Sequence, residues 1–178
     1  KVSLEAWAGV QTQNKRYDLL NTEQYIEYAT DIGMLQDPVA IPIRISDPQY
    51  ASYLQNDTDW QDAIFQSGAM QNYNINVAGG GEVSNYMFSA GYMDQEGIVV
   101  NTGFKRFNFR ANSDFTVGRF KFGETLTTSI NSQRPYQDAG GRSQVEHAIK
   151  MAPYLPVRNP ENLGGFQGPL SSLDNQDA

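Results

Sequence analysis

The strongest constraint in this sequence is an alternation of apolar and polar side chains, with a period of two, repeated in five stretches. In the first, Val2, Leu4, Ala6, Ala8 and Val10 share one parity. Lys1, Ser3, Glu5, Gly9 and Gln11 share the other, with Trp7 as the one large apolar exception. In the second, asparagine alternates with Tyr, Ile and Val through Asn72-Tyr73-Asn74-Ile75-Asn76-Val77. In the third, Tyr86, Phe88, Ala90 and Tyr92 oppose Ser89 and Gly91. In the fourth, Phe107, Phe109 and Ala111 oppose Arg106, Asn108, Arg110 and Asn112. In the fifth, Phe120, Phe122, Leu126, Thr128 and Ile130, together with Glu124, oppose Lys121, Gly123, Thr125, Thr127, Ser129 and Asn131. Successive side chains of a strand point to opposite faces, so each stretch predicts a two-faced strand. The five are expected near residues 1–11, 71–78, 85–95, 104–116 and 119–132. Turns are expected around Gly79-Gly80-Gly81 and at Val117-Gly118-Arg119.

The segments between and beyond the strands read differently. Asn21 with Gln24 three residues on has capping-box spacing, Leu20 and Tyr25 have staple spacing, and Gly33 is a plausible stop. A short second helix is expected after Thr58, with Gln61 repeating the box spacing and Gly68 closing it. Pro38, Pro42 and Pro48 mark residues 36–50 as irregular loop. Residues 133–178 read as loop, interrupted by a short helix from Ser143 to Met151 that stops before Pro153. The chain opens at Lys1 without a signal pattern and closes in what reads as mid-loop, as expected of a stretch of a longer polypeptide.

Composition removes several function classes. The net charge of -7 opposes nucleic acid as a partner, since phosphates call for a basic surface. Without cysteine there are no disulfides, thiolate zinc sites or cysteine nucleophiles. No run approaches the ~18 apolar residues of a transmembrane helix, but a barrel strand needs only ~9–11 alternating residues.

An alternating chain can form a soluble sandwich or a membrane barrel. A sandwich strand offers its outer face to bulk water, where Lys, Glu and Thr dominate. Here the polar face is mostly Asn, Gly, Ser and Thr with a few Arg, which suits a crowded aqueous lumen. The opposite face is rich in Phe and Tyr, which suits lipid flanked by aromatic girdles. The connections also alternate between long and short, as in outer-membrane barrels with short periplasmic turns and longer extracellular loops. The expected fold is all-β: a partial transmembrane antiparallel β-barrel with long loops carrying short helices. Loops 12–70 and 133–178 are expected outside the cell and the Gly80 and Gly118 turns in the periplasm. Five strands cannot close, and an open edge in hydrocarbon leaves backbone groups unpaired. Glu124 on the apolar face is the discrepancy. Either it lies near the periplasmic rim, or a bulge at Gly123 re-aims it.

Several motifs, in order, resemble the SusC/RagA family of TonB-dependent outer-membrane transporters. The segment Asp57-Thr58-Asp59-Trp60-Gln61-Asp62-Ala63-Ile64-Phe65 is similar to the family's TDWQD-x-IF. Gly91-Tyr92-Met93-Asp94-Gln95-Glu96-Gly97-Ile98 resembles GY-x-DQEGI, and Phe104-Lys105-Arg106-Phe107 with Arg110-Ala111-Asn112 resembles its FKR and RAN segments. Asp18-Leu19-Leu20-Asn21 and Met151-Ala152-Pro153-Tyr154-Leu155-Pro156-Val157 resemble its DLLN and MAP-x-x-PV segments. The resemblance implies an importer of oligosaccharides or peptides in the bacterial outer membrane of Bacteroidetes. It implies a SusD/RagB-type lipoprotein lid, and TonB acting through a segment that would precede Lys1 together with a plug domain. The remaining strands would follow Ala178. Rival readings are a SusC-like structural subunit of another outer-membrane complex and a soluble β-sandwich that binds glycans or acts as an adhesin.

No catalytic group, cofactor or metal site is expected. A single histidine, His147, cannot form a multi-histidine zinc site. Asp57, Asp59 and Asp62 lack the glycine and terminal glutamate of an EF-hand, and helix N-terminal acids explain them more simply. Gly79-Gly80-Gly81 has no Lys-Ser/Thr after it and reads as a turn rather than a phosphate loop. Trp60, Tyr50, Tyr53 and Tyr92 could stack on a ligand, though Trp60 is better read as anchoring its loop helix. The candidates for contact with cargo or plug are Asn74, Asn76, Arg106, Asn108, Arg110 and Asn112, because amides offer donor and acceptor together. The blander reading of the same residues is inter-strand and plug hydrogen bonding in a hydrated lumen.

Overall fold

The computed structural model describes residues 1–32, 51–135, 138–139 and 142–168. It divides into two compact units, Lys1–Gln13 with Gln66–Tyr136 and Asn14–Phe65 with Gln137–Ala178.

The first unit is one five-stranded antiparallel sheet of β1 (Val2–Gln11), β2 (Gly68–Gly80), β3 (Ser84–Glu96), β4 (Gly103–Val117) and β5 (Phe120–Arg134), in spatial order β1-β2-β3-β4-β5. Each strand pairs with its sequence neighbour, and the register runs unbroken from Val2↔Val77 to Val117↔Phe120. β2 to β4 extend beyond the alternating stretches at both ends, and β5 only at its C-terminal end. The turn between β4 and β5 has two residues. Gly118 takes φ +59°, as the first central position of a II′ hairpin requires. Between β2 and β3 the Gly81 N–H donates to the Ser84 carbonyl at 2.7 Å, so the triple glycine ends a strand and forms a turn. Between β3 and β4, Asn101 at φ 63° and the Thr102 hydroxyl bonded to the Val99 carbonyl close a compact loop.

The register sorts the apolar face into rows. At the end where β1 leaves the sheet lies a polar row of Gln71, Asp94, Lys105 and Ser132. Lys105 Nζ is 2.8 Å from Asp94 Oδ2. Next comes Tyr73, Tyr92, Phe107 and Ile130, then Ile75, Ala90, Phe109 and Thr128, then Val77, Phe88, Ala111 and Leu126. The Tyr73 and Tyr92 hydroxyls donate back toward the polar row, to Gln71 Oε1 at 3.2 Å and Asp94 Oδ2 at 3.1 Å. An apolar ring with its hydroxyl turned to a polar row is the arrangement of an interfacial girdle. At the other end Phe115 stacks on Phe122, centroids 5.0 Å apart, beside Phe120. From Phe107 to Val117 is about 34 Å along the strand, or ~26 Å of height at the ~40° tilt of such barrels, which matches their apolar band of ~25 Å.

This face stays open. Ile75, Phe88, Phe107, Leu126 and Ile130 are all exposed, and among the described residues no second sheet packs across them. A soluble sandwich would bury such a face against a second sheet; here the described strands make a single open one.

Of the two readings of Glu124, a position near the rim or a bulge at Gly123, the ladder shows no bulge. Asp114↔Gly123 and Ser113↔Glu124 continue the ladder in step. Glu124 therefore lies on the apolar face between Phe122 and Leu126, and the Ser113 hydroxyl donates to its Oε1 at 3.0 Å.

The second unit is built on loop segments. α1 (Thr22–Asp31) starts with a true capping box, Asn21 accepting from the Gln24 N–H and the Gln24 side chain accepting from the Asn21 N–H. α2 (Trp60–Ile64) is a single turn whose cap is Asp59, one residue later than the Thr58 box predicts, and it ends well before Gly68, which opens β2. The Asp59 carboxylate takes the amides of Gln61 and Asp62 together, which a threonine hydroxyl cannot match in charge. α3 (Gln144–Lys150) is capped by Ser143, and short strands β6 (Asp138–Ala139) and β7 (Arg142–Ser143) precede it. Residues 152–155 are irregular, as their prolines suggest, yet they form core. Ala152, Tyr154 and Leu155 are buried with Ala29 and packed by Tyr25, Ile26, Tyr53, Leu54, Trp60 and Met151. The Gly33 stop, the proline loop, Tyr50 and residues 169–178 lie outside the described residues.

Two outcomes test this account. Tyr154→Ala, which removes the largest fully buried side chain among the described residues, should cost about 3–5 kcal/mol of local stability and make residues 14–32 and 142–168 of the full-length protein markedly more sensitive to limited proteolysis. Unchanged cleavage would mean that Tyr154 does not organise the unit. Glu124→Leu should leave the full-length protein at least as resistant to urea in detergent. A clear loss of resistance would show that the carboxylate has a stabilising partner on the apolar side.

Candidate functional site

The opposite face of the sheet carries the candidate site. Adjacent positions form rows running across the strands. Glu5, Asn74, Gly91, Asn108 and Ser129 form one. On one side of it lie Ser3, Asn76, Ser89, Arg110 and Thr127, and on the other Trp7, Asn72, Met93, Arg106 and Asn131. Ala78, Met87, Asn112 and Thr125 follow beyond the Arg110 row. Asn74, Asn76, Arg106, Asn108, Arg110 and Asn112 thus share one face, spread over four successive rows of β2 and β4.

Gly91 is the centre of this arrangement. A carbon at its Cβ position would lie 2.6 Å from Asn74 Oδ1 and 2.7 Å from Asn108 Oδ1. The two amides therefore lean over the glycine from both neighbouring strands, and a side chain there would have to displace them. The signal was present in the sequence as a lone glycine within an alternating strand, which often marks close approach. Asn72, Ser89, Thr127, Ser129 and Asn131 complete the polar surface around the candidates. Trp7 interrupts it, because its parity puts the indole on this face beside Asn72.

The two arginines stand apart from the rest. Arg110 Nε is 3.4 Å from Thr127 Oγ1, and an Arg106 guanidinium nitrogen is 4.0 Å from Met93 Sδ. Among the described residues neither has a carboxylate within ion-pair distance, although Glu5 and Asp114 occupy the same face. Asn112 Oδ1 is buried without a hydrogen-bond partner among the described residues.

The other candidates resolve into structure. Asp57 accepts the Thr22 N–H at 2.9 Å, Asp59 caps α2, and Asp62 pairs with Arg16. Among the described residues no cluster of three acids or histidines is set to hold a metal. The Trp60 indole donates to the Ala152 carbonyl at 3.0 Å, which ties α2 into its unit. Tyr53 packs against the buried cluster, and Tyr92 belongs to the apolar face. His147 lies in the last turn of α3.

A lone antiparallel sheet with one apolar, girdled face and one amide-rich polar face is a stretch of transmembrane β-barrel wall. Comparison with known proteins agrees. The chain is 27% identical to TonB-dependent receptor P3 of Formosa agariphila over 93% of its own length and 16% of the relative's. It is 29% identical to TonB-dependent receptor SusC of Bacteroides thetaiotaomicron, over 86% of this chain and 14% of that one. Among solved structures, it superposes on the RagAB peptide transporter with a TM-score of 0.68 at 19% identity, covering 86% of this chain and 20% of that one. The RagAB peptide importer in its closed-closed state superposes with a TM-score of 0.64 at 20% identity, over 94% of this chain and 21% of that one. No family model matches the sequence. The chain is thus similar to TonB-dependent receptors of the SusC/RagA kind, at modest identity and over about a sixth or less of the length of these curated relatives.

Gly91→Val forces the two asparagine amides apart. It should lower the urea midpoint of the full-length protein in detergent, in line with the ~1–3 kcal/mol typical of overpacking. Gly9→Val, where a Cβ meets nothing within 4 Å, should leave it unchanged. Equal responses of the two variants would remove any special role for the Asn74–Gly91–Asn108 row.

Proposed function

We propose that this chain forms part of the wall of a TonB-energised outer-membrane importer of oligosaccharides or peptides, working with a SusD/RagB-type surface lipoprotein. The observation that carries the proposal is the division of one register-locked sheet into a girdled apolar face and an amide-rich polar face. The apolar face meets outer-membrane lipid, and the polar face lines the lumen. The helix-bearing loop segments lie outside the cell, and the Gly81–Val83 and Gly118–Arg119 turns lie in the periplasm. TonB acts through polypeptide outside this stretch, and so does the plug that it displaces. The chain performs no chemistry. Its part is to hold a lumen whose amides and hydroxyls exchange hydrogen bonds with passing solute.

The peptide description of the RagAB structures brings a peptide cargo into the proposal, and a glycan cargo rests on the sequence resemblance. The full-length protein should be extracted only with detergent and should migrate faster on gels unheated than boiled. A strain lacking the gene should lose growth on one polymeric nutrient, either a glycan or a peptide digest, and regain it on complementation only when TonB is functional. Folding as a water-soluble monomer would refute the barrel. Growth unaffected on every such nutrient would refute import and leave a structural subunit.

A further inference from the structure

We propose that a groove within the loop unit captures basic peptides, meeting a Lys or Arg side chain with its carboxylates and a nearby bulky apolar side chain with its aliphatic lining. The proposal rests on the import reading, with this unit outside the cell, and it narrows the cargo to one class.

The groove encloses about 410 Å³, within the ~300–1,000 Å³ of small-ligand sites. Leu20, Ile149, Met151 and Pro153 line it with aliphatic groups, and Tyr25 and Trp60 add rings. These walls are tied down. Tyr25 meets Tyr154 edge-on with ring centroids 5.8 Å apart. The Trp60 indole donates to the Ala152 carbonyl at 3.0 Å, and the Thr58 N–H donates to the Pro153 carbonyl at 2.8 Å. A site held in shape beforehand loses little ordering entropy on binding.

The charge of the groove is one-sided. Asp18, Asp57 and Asp59 line it. Arg16 answers Asp59 at 3.5 Å. Asp57 accepts the Thr22 N–H, which satisfies a hydrogen bond and leaves the charge. Among the described residues Asp18 has no ion pair. Lys150 is the one cation in the lining among the described residues, and its Nζ lies 2.5 Å from Glu146 Oε1. The imbalance extends to the whole unit. Residues 14–65 and 137–178 hold 14 acids against 6 Lys or Arg, whereas the sheet unit holds 6 acids against 7. The chain's negative excess therefore sits entirely in the unit that carries the groove. A cleft lined by one sign of charge concentrates ligands of the other.

These features separate ligand classes. A neutral oligosaccharide would set hydroxyls against four aliphatic side chains, which costs hydrogen bonds, and would leave the carboxylates unanswered. An acidic peptide would be repelled. In an extended peptide, residues two apart share a face, so a Lys flanked at that spacing by Leu presents a cation and apolar groups together.

The test titrates the full-length protein in detergent, without the lid lipoprotein, with fluorescein-labelled Gly-Leu-Gly-Lys-Gly-Leu-Gly, read by anisotropy. This peptide should bind about tenfold more tightly than analogues with Glu for Lys or Ser for both Leu, and than labelled maltohexaose. Asp18→Lys should weaken the Lys peptide by about tenfold and strengthen the Glu analogue. Glu27→Lys, the same charge change on α1 outside the groove lining, should leave both nearly unchanged. Heat-modifiable migration establishes that each variant has formed its barrel. Where Asp18→Lys has not, Asp18→Asn is read in the same way. Equal binding of the Lys and Glu peptides, a preference for maltohexaose, or an unchanged Lys-peptide affinity in the folded Asp18 variant overturns the proposal. So does an Asp18→Lys effect confined to co-purification of the surface lipoprotein, which would make the groove a protein interface. None of these results touches the growth assay for import. Binding as expected in a protein whose loss leaves growth on every nutrient unaffected would instead defeat the import reading.

Discussion

The structure depends on register. With a side-chain period of two, a slip of one residue in any ladder would send Tyr73, Phe88 or Phe107 to the polar side and Asn74, Arg106 or Asn108 to the apolar side. The ladders from β1 to β5 stay in step over their whole length. Short turns help to hold them. The two-residue Gly118–Arg119 connection leaves β4 and β5 one pairing, and the Gly81–Ser84 bond does the same for β2 and β3. Both faces, and every functional argument built on them, follow from this alignment. The outer edges of β1 and β5 are unpaired within the described sheet. Hydrocarbon does not tolerate such edges, so in a membrane the wall continues on both sides.

The sheet was the most legible part of the sequence, because alternation reports orientation directly. Glu124 shows where that legibility ends. Parity placed it with Phe122 and Leu126, and a carboxylate among apolar groups invited either a place near the rim or a bulge. The ladder needs no bulge. Ser113, directly opposite, donates a hydrogen bond to the carboxylate, and a row of Tyr86 and Ser113 gives the apolar face a polar seam at that height. A cross-strand neighbour cannot be read from one strand's pattern, since it depends on the register between two.

The loop unit was legible at its helix starts and obscure in its core. Asn21 and Gln24 form their capping box because the interaction is local and needs only three-residue spacing. The second cap moved to Asp59 because several acceptors stood in a row, and spacing alone cannot rank a carboxylate against a hydroxyl. Tyr154 and Leu155 stand between prolines in a stretch with no periodicity, yet they are fully buried. Their burial comes from α1 and α2, distant in sequence. The Thr58 N–H bonded to the Pro153 carbonyl and the Trp60 indole bonded to the Ala152 carbonyl show how the backbone of that stretch is satisfied without regular structure. Irregular chain can be core when side chains and distant amides meet its polar groups.

The candidate site was legible as a list of residues and not as an arrangement. Sequence parity put the asparagines and arginines on one face, but Gly91 gives that face its shape. A residue with any side chain there would push Asn74 and Asn108 apart. With glycine, the amides close over the strand and the wall presents a continuous band of donors and acceptors between two fixed positive charges. Such a band is poorly suited to selecting one solute tightly, since amides and hydroxyls bond to many partners. It is well suited to a wall along which hydrogen bonds are exchanged at little net cost. The charges differ in kind from the amides around them, because their compensation cannot be exchanged with water on the same terms.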